Sequence, residues 1–160
     1  MTLVPMTIKG LMLDPISNSP IVVLKDEEDS VFLPIWVGIF EANAIALRLE
    51  EVATPRPMTH DLLTNIIADV AGKVTRVVIN DLVDSTFYAR IFMTLGERQL
   101  EIDSRPSDAL ALALRTDAPI FVDQTVLDQA QTLTAEEGQD EKLRKWFEQL
   151  KPEDLGKYKM

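Results

Sequence analysis

Three stretches near the start of the chain are predicted to be strands, the first because its apolar and polar positions alternate loosely and the other two as short apolar runs. The stretches cover residues 6–13, 21–24 and 31–37, with turn-forming segments at 14–20 and 26–29 between them. Pro34 lies inside the third stretch and has no backbone N–H to donate. We therefore expect that strand to lie at a sheet edge or to contain a bulge.

A helical period replaces the alternation after Gly38 and predicts two helices. The first covers residues 39–52. The second begins at Thr59 as N-cap and ends before Gly72 as the C′ residue. The apolar positions predicted to form the buried face of the second helix are Leu62, Leu63, Ile66, Ile67 and Val70.

The second half of the chain predicts a block of strands followed by a buried helix. Strands are expected at residues 74–82, 86–95 and 98–103, with a turn at 83–85. Pro106 suits the first turn of a helix over residues 106–115, since its missing N–H would have no partner there in any case. That helix is apolar nearly all round, which is typical of a central, buried helix. A strand at 119–122 and a helix at 125–130 follow.

These elements predict an α+β (mixed α/β) fold, in which helices pack on a mixed β-sheet within a single domain of residues 1–131. Residues 132–160 are predicted to form a short C-terminal helical extension. Its apolar stripe consists of Leu143, Trp146, Phe147 and Leu150. We expect this stripe to pack on the body of the protein or on another subunit.

Residue usage excludes several classes of site. The chain has no cysteine, so disulfides, thiolate metal sites and cysteine nucleophiles are excluded, and His60 as the only histidine excludes a multi-histidine metal cluster. The N-terminus lacks the pattern of a signal peptide, and charges interrupt every apolar stretch before it reaches membrane-spanning length. A cytoplasmic protein with no membrane partner is expected.

The formal charge of −10 bears on the choice of partner. Seven of the 26 acids and six of the 16 bases lie from Thr132 onward, so residues 1–131 carry a charge of −9. Such a body repels a phosphate backbone at long range. Nucleic-acid binding therefore requires bases that cluster locally or metal ions that intervene.

A polar run at residues 103–108 marks the junction of a predicted strand and the buried helix. It places Asp103, Arg105, Ser107 and Asp108 around one helix N-terminus, where the dipole favours a carboxylate. Asp103 could reach either Arg105 or a metal ion. A capped helix whose entry loop is fixed by an Asp–Arg pair explains the same residues.

Two further candidates also lie at predicted helix starts. His60 and Asp61 could act as a general base with its orienting acid, or as a metal-binding pair, although a lone histidine beside an acid is more often structural. Glu41 could equally complement the dipole of its own helix. Asp81 and Asp84 flank a turn, and turn chemistry accounts for them. These acids would form a Mg²⁺ or Mn²⁺ site only if the fold brings several together.

Common nucleotide-binding, serine-hydrolase and zinc-protease motifs are absent from the sequence. The motifs that are present resemble, in their order, the bifunctional nuclease family, and the resemblance covers roughly residues 6–130. The segments that carry it are 33–38 with Glu41, 55–62, 81–82, 86–89, 102–109 and 119–122.

The resemblance implies a mixed α/β fold, self-association and cleavage of both DNA and RNA. Its motif positions lead to a hypothesis of metal-assisted phosphodiester hydrolysis. The predicted catalytic residues are His60, Asp61, Asp108 and Glu41, the substrate-binding residues Arg56, Arg105 and Ser107, and the ligands for Mg²⁺ or Mn²⁺ Asp61, Asp103 and Asp108. The alternative is a non-catalytic module that binds a ligand or a protein through the same polar junctions.

Overall fold

The computed structural model describes residues 2–130 and 132–134, which form eight strands and four helices. The elements are, in chain order, β1 (Leu3–Leu13), β2 (Pro20–Asp26), β3 (Val31–Trp36), α1 (Ile39–Leu49), α2 (Thr59–Asp69), β4 (Gly72–Val83), β5 (Thr86–Leu95), β6 (Arg98–Ser104), α3 (Pro106–Thr116), β7 (Ile120–Asp123), α4 (Gln124–Gln129) and β8 (Leu133–Thr134).

All the strands belong to one sheet with the order β6-β5-β4-β7-β1-β2-β3-β8. β4 and β7 are parallel and the other neighbouring pairs are antiparallel, so the sheet is mixed. This arrangement confirms the predicted α+β fold class. Beyond Thr134, the predicted C-terminal extension lies outside the described residues.

The strand that contains Pro34 is not outermost, since β8 lies beyond it, but the sheet edge is open at Pro34 itself within the described residues. β3 pairs along its length with β2, whereas β8 reaches only Val31 and Phe32 on its other side. Pro34 lies beyond the reach of β8, where a missing backbone donor leaves no ladder bond unmade.

Helix α3 is the buried centre of the molecule, as its sequence predicts. The side chains of residues 109–113 are buried, and α3 packs on β4 and β5 on one side and on α1 and α2 on the other. Pro106 occupies the first turn, and Asp117 ends the helix in a left-handed conformation with φ of 57°. Because α3 is anchored in the core, the residues at its two ends have fixed positions.

The predicted buried face of α2 is wrong. Leu62, Ile66 and Val70 are 53%, 50% and 54% exposed, Leu63 is also exposed, and His60 is the buried residue of the helix. The helix is rotated so that the side carrying His60 packs toward α3, and of the predicted apolar set only Ile67 packs against the core. Tertiary contacts made by the polar residues override the hydrophobic period.

Some predicted helix ends also differ from the structure. α1 ends at Leu49 and not at residue 52, since Glu51 adopts a positive φ of 55°. Met58, not Thr59, is the N-cap of α2, because its backbone N–H is held by the side chain of Asp61 at 2.9 Å. Ala71, with φ of 61°, and not Gly72 takes the left-handed position after α2.

Across residues 2–130 and 132–134, no helix combines the length and the hydropathy that crossing a membrane requires.

Candidate functional site

A cleft of about 890 Å³ opens where α1, α2, β5, β6 and the start of α3 converge, and we call it the main cleft. Its polar lining includes Glu41, His60, Asp103, Arg105 and Asp108. Its apolar lining includes Phe40, Met58, Leu63, Phe87, Tyr88 and Ile91. A mostly apolar concave surface with a few convergent polar groups is the usual form of a ligand site.

A chain of contacts between four of these polar residues runs along the main cleft. His60 Nε2 lies 2.9 Å from Asp108 Oδ1, and Arg105 Nε donates to Asp108 Oδ2 at 3.1 Å. A terminal nitrogen of Arg105 lies 3.1 Å from Glu41 Oε1. The contacts with Asp108 first, and those with Glu41 second, raise the pKa of the Arg105 guanidinium above its ordinary value. Arg105 therefore stays charged between two carboxylates.

The side chain of His60 is 10% exposed, and the ring nitrogen that contacts Asp108 determines what the other nitrogen can do. If Nε2 carries the proton and donates it to Asp108, the lone pair of the neutral ring lies on Nδ1. A carboxylate in this position fixes the tautomer and stabilises the protonated ring. The pair thus has the arrangement of a general base and its orienting acid.

Local sequence features place these groups. Pro106 starts α3 and puts Asp108 in the first turn, where the helix dipole favours a carboxylate. Glu41 lies in the first turn of α1 for the same reason. The Glu41 carboxylate folds back over Gly38, where a Cβ atom would collide with Oε2. Glycine at position 38 therefore leaves room for the Glu41 orientation that meets Arg105.

Asp61 lies next to His60 in sequence but faces a different part of the molecule. Its Oδ1 accepts from Arg115 Nε at 2.7 Å, and its Oδ2 accepts from the backbone N–H of Met58. The bond from Met58, and after it the bond from Arg115, lowers the pKa of Asp61 below its usual value of 3.8. The structure thus gives Asp61 a capping and pairing position, away from His60 and Asp108.

Arg56 also lies apart from the main cleft. It lines a second cleft of about 300 Å³, together with Arg48, Asp61, Asn65 and Arg115. Arg56 and Arg105, both predicted to bind substrate, are therefore in two different clefts. We call the smaller one the arginine cleft.

Asp103 and Ser107 are separated by the turn into α3. Asp103 is exposed on β6, opposite Arg90 on β5, and lines the main cleft. Ser107 is fully buried and is not part of the lining of either cleft. Of the eight predicted site residues, the main cleft thus brings together Glu41, His60, Asp103, Arg105 and Asp108.

The donor atoms do not fit a resident divalent metal ion. Both oxygens of Asp108 already accept from or contact side chains, and Asp61 opens to the arginine cleft. Arg105 lies between Asp108 and Glu41, where its positive charge would oppose a second cation. Within residues 2–130 and 132–134, no group of three or more His, Asp and Glu side chains is placed to hold a metal ion.

Sequence reasoning did not identify the apolar wall of the main cleft. Phe40 is 84% exposed, and Met58 and Leu63 are also exposed. Of these three residues the sequence predicts burial only for Leu63, which the rotation of α2 exposes, and it assigns no lining role to Phe40 or Met58. The sequence also gives no reason to select Arg48 and Arg115 as site residues. Both lie in the last turns of helices, where basic residues are common.

The sequence of this chain matches known proteins and a protein family. A family model described as the bifunctional nuclease domain matches residues 22–135. A Mycobacterium tuberculosis protein, named as an uncharacterized protein, is 35% identical over 157 residues, which cover 91% of this chain and 94% of that protein.

Two rice proteins carry a functional name. Bifunctional nuclease 1 of Oryza sativa subsp. indica is 28% identical over 109 residues, or 66% of this chain and 33% of that protein. Bifunctional nuclease 2 of Oryza sativa subsp. japonica is 29% identical over 111 residues, or 67% of this chain and 34% of that protein. The chain spans about a third of the length of these plant relatives. By the family model and the M. tuberculosis relative, it belongs to the bifunctional nuclease domain family.

Proposed function

We propose that this protein is a nuclease that hydrolyses phosphodiester bonds in the main cleft, with His60 and Asp108 as its base and orienting acid. The observation that carries the proposal is the contact chain from His60 through Asp108 and Arg105 to Glu41. Family membership and the names of the plant relatives support a nuclease-like activity.

In this proposal, His60 takes a proton from an attacking water molecule. The water oxygen forms a new bond to phosphorus as the bond from phosphorus to the leaving sugar oxygen breaks, and solvent returns a proton to that oxygen. Asp108 stabilises the protonated ring, a role for which its 2.9 Å contact with Nε2 is suited. The predicted catalytic role of Asp61 has no support from its pairing with Arg115.

Arg105 supplies positive charge where the reacting phosphate would gain negative charge. A guanidinium has five N–H donors, and the contacts with Asp108 and Glu41 leave others for a phosphate oxygen. The Arg105 side chain is 55% exposed, so substrate can reach it. The same two carboxylates reduce its net attraction for a phosphate, which predicts weak ground-state binding.

The exposed aromatic wall of the main cleft supports a nucleic-acid substrate. Phe40 and Tyr88 offer ring surfaces on which bases of a single strand can stack, and such stacking tolerates any sequence. A substrate gripped through its bases would depend less on phosphate contacts than a duplex does. This offers one way for a protein of charge −10 to bind nucleic acid.

The test is cleavage of single- and double-stranded DNA and RNA by purified wild-type protein, His60→Ala and Asp108→Asn, each with Mg²⁺, with Mn²⁺ and with EDTA. We expect both variants to lose about 100-fold or more of the wild-type rate, as removal of a general base does. Asp69→Asn, an exposed acid on the same helix as His60, is the matched control and should cleave at the wild-type rate.

The comparison of rates in Mg²⁺, Mn²⁺ and EDTA shows how the water is activated. The route through His60 and Asp108 expects cleavage to persist in EDTA. A rate that EDTA abolishes, Mg²⁺ or Mn²⁺ restores and His60→Ala leaves intact would overturn that route. It would instead support the predicted requirement for a divalent metal ion.

A second candidate function is a non-catalytic module that binds a ligand or a protein. The specific observation in its favour is that the contact chain also ties α1, α2 and α3 together, as a structural network would. If this is its role, Asp108→Asn lowers the melting temperature markedly, and purified wild-type protein cleaves none of the substrates. Cleavage by wild-type protein that Asp108→Asn loses without unfolding would reject this candidate.

A further inference from the structure

The arginine cleft lies apart from the contact chain of the main cleft. It is bounded by the end of α1, the connection between α1 and α2, one side of α2 and Arg115 of α3. His60 faces the main cleft, whereas Asp61 and Asn65 face the arginine cleft. The two clefts therefore lie on different sides of α2.

The charge of the arginine cleft is opposite to that of the whole protein. Its lining contains Arg48, Arg56, Arg115 and a single acid, Asp61, a formal balance of three positive charges against one negative charge. The chain as a whole has a charge of −10. A local excess of positive charge in an acidic protein is a fixed feature of the surface potential that attracts anions.

Asp61 is hydrogen-bonded to Arg115 and to the backbone, and it forms no ion pair with Arg48 or Arg56. Its oxygens accept from Arg115 and from the backbone of Met58, and Arg115 also donates to the carbonyl oxygens of Ala111 and Ala44. The Arg115 side chain is 5% exposed and forms the rigid floor of the cleft. Within the part of the chain that the structure describes, Arg48 and Arg56 form no ion pair with an acid, although the charge of Arg48 is one of the lesser causes of the lowered pKa of Asp61.

Arg56 is presented by a stiff segment. Pro55 and Pro57 flank it, so the preceding and the following peptide units have little torsional freedom. Thr54 Oγ1 donates to the carbonyl oxygen of Arg56 at 2.8 Å, which fixes the segment further. Arg48 is anchored at its Nε, which lies 3.3 Å from the carbonyl oxygen of Leu114. Its terminal nitrogens stay available.

We propose that the arginine cleft is a phosphate-binding site in which Arg48 and Arg56 together bind one phosphate group. Two guanidinium groups match the planar, bidentate geometry of phosphate oxygens. The volume of about 300 Å³ accommodates a phosphate group with part of what it is attached to. A bound anion also relieves the repulsion between two like charges that share one small cleft. The site does not depend on hydrolysis in the main cleft.

The phosphate group could belong to a nucleic-acid backbone or to a free phosphate or mononucleotide, since the recognising chemistry is the same. Full-length protein labelled with ¹⁵N is titrated with inorganic phosphate, with a mononucleotide and with a short single-stranded oligonucleotide, each against chloride at equal ionic strength. The side-chain amide of Asn65 lines the cleft and serves as the local reporter.

Inorganic phosphate should give saturable shifts at Asn65 and at residues 53–56, and Arg56→Gln should weaken binding by about tenfold or more, since charge-assisted hydrogen bonds are lost. The Arg48→Gln and Arg56→Gln double variant should not bind. Arg98→Gln, an exposed arginine on β6 outside both clefts, is the matched control and should bind like wild type. Arg56→Gln removes no contact of the described structure, so its melting temperature in chloride should equal that of wild type.

An oligonucleotide that binds at least tenfold more tightly than phosphate, with the advantage lost in Arg56→Gln, assigns the site to a chain backbone. Equal binding of the three ligands assigns it to a free phosphate group. Shifts that chloride reproduces, or an Arg56→Gln variant that binds as wild type does, would overturn the proposal. The readout is binding, so cleavage lost through His60→Ala with phosphate binding unchanged tells the failure of one site from that of the other.

Discussion

Asp61 and Arg115 are 54 positions apart in the sequence, and their side chains meet at 2.7 Å on the side of α2 that faces the arginine cleft. His60, the residue before Asp61, instead reaches Asp108 at the other end of α3. Positions 108 and 115 are about 10 Å apart along a helix axis. Two consecutive residues of α2 thus contact α3 at two separate places. One of these contacts, between His60 and Asp108, is also the proposed catalytic pair.

The first prediction concerns Asp61→Asn, which should lower the free energy of unfolding at pH 7 by about 1–2 kcal/mol. The variant loses a charged hydrogen bond to a buried guanidinium, although a third of the Asp61 side chain is exposed and solvent screens part of the effect. Urea denaturation followed by circular dichroism measures the difference. Asp69→Asn on the same helix, with an exposed acid, should change it little.

The stability difference between wild type and Asp61→Asn should depend on pH in a direction that follows from the pKa of Asp61. The pKa of Asp61 is lower in the folded protein than its ordinary value of 3.8, so the carboxylate contributes stability that is present above pH 4. That contribution is lost as pH falls through the lower, folded pKa. The difference between wild type and Asp61→Asn should therefore be largest at neutral pH and shrink below about pH 4. A difference that is constant down to pH 2 would contradict the origin of the effect.

The second prediction separates the charge of Glu41 from its position. Glu41→Gln keeps an oxygen for Arg105 but removes a negative charge from the main cleft, so KM for oligonucleotides should fall by about two- to fivefold. Gly38→Ala keeps the charge, but its new Cβ atom displaces the Glu41 carboxylate and leaves Arg105 without that contact. Its main effect should be on kcat.

Steady-state kinetics over a range of salt concentrations test this pair of variants. Arg90→Gln, a half-buried arginine on β5 that does not line the main cleft, is the control. A kcat for Glu41→Gln that falls 100-fold or more would mean that the carboxylate itself takes part in catalysis, as the sequence predicts for Glu41.

The sequence predicts the strands and the buried helix well because their patterns are strong and local. Phe87, Ala89, Ile91 and Met93 alternate inward on β5, and the apolar run of α3 leaves that helix no exposed face. The fold class follows from these elements. The pairing of His60 with Asp108 could not be predicted, because it joins positions 48 apart and depends on how α2 is rotated.

The rotation of α2 also explains why the predicted site residues lie in two different clefts. Its hydrophobic period favours burial of Leu62, Ile66 and Val70, but the polar contacts of His60 and Asp61 with α3 orient the helix the other way. A sequence places His60 and Asp61 side by side, and only the fold shows that their side chains enter different clefts. The run from Asp103 to Asp108 is divided in the same way, since Ser107 points into the core.

The third prediction concerns Phe40, which is 84% exposed at the edge of the main cleft. Phe40→Ala should raise KM for single-stranded oligonucleotides by about tenfold through the loss of one stacking surface, with little change in kcat. Its melting temperature should not change, because an exposed ring contributes little to the core. Ile39→Ala is the matched control, since Ile39 is also exposed but does not line the cleft. Equal KM values for wild type and Phe40→Ala would exclude a stacking role.

The fourth prediction concerns self-association, which the family resemblance implies and which the exposed apolar side of α2 would serve. Leu62, Leu63, Ile66 and Val70 follow one another along one side of the helix, and Leu63 continues that surface into the apolar wall of the main cleft. Several large side chains at 41–54% exposure form a patch of the size at which interaction surfaces are found.

A second copy of the chain is the expected partner, because the patch bears no charge and so adds no repulsion between two acidic proteins. Light scattering should give wild-type protein a mass that is a multiple of the chain mass, and Ile66→Lys should shift it to the monomer, since a buried unpaired charge is costly at an interface. Ala68→Lys adds the same charge on the opposite side of α2 and should assemble as wild type does. A wild-type monomer at all concentrations, or equal effects of the two lysines, would exclude this face as the interface between copies.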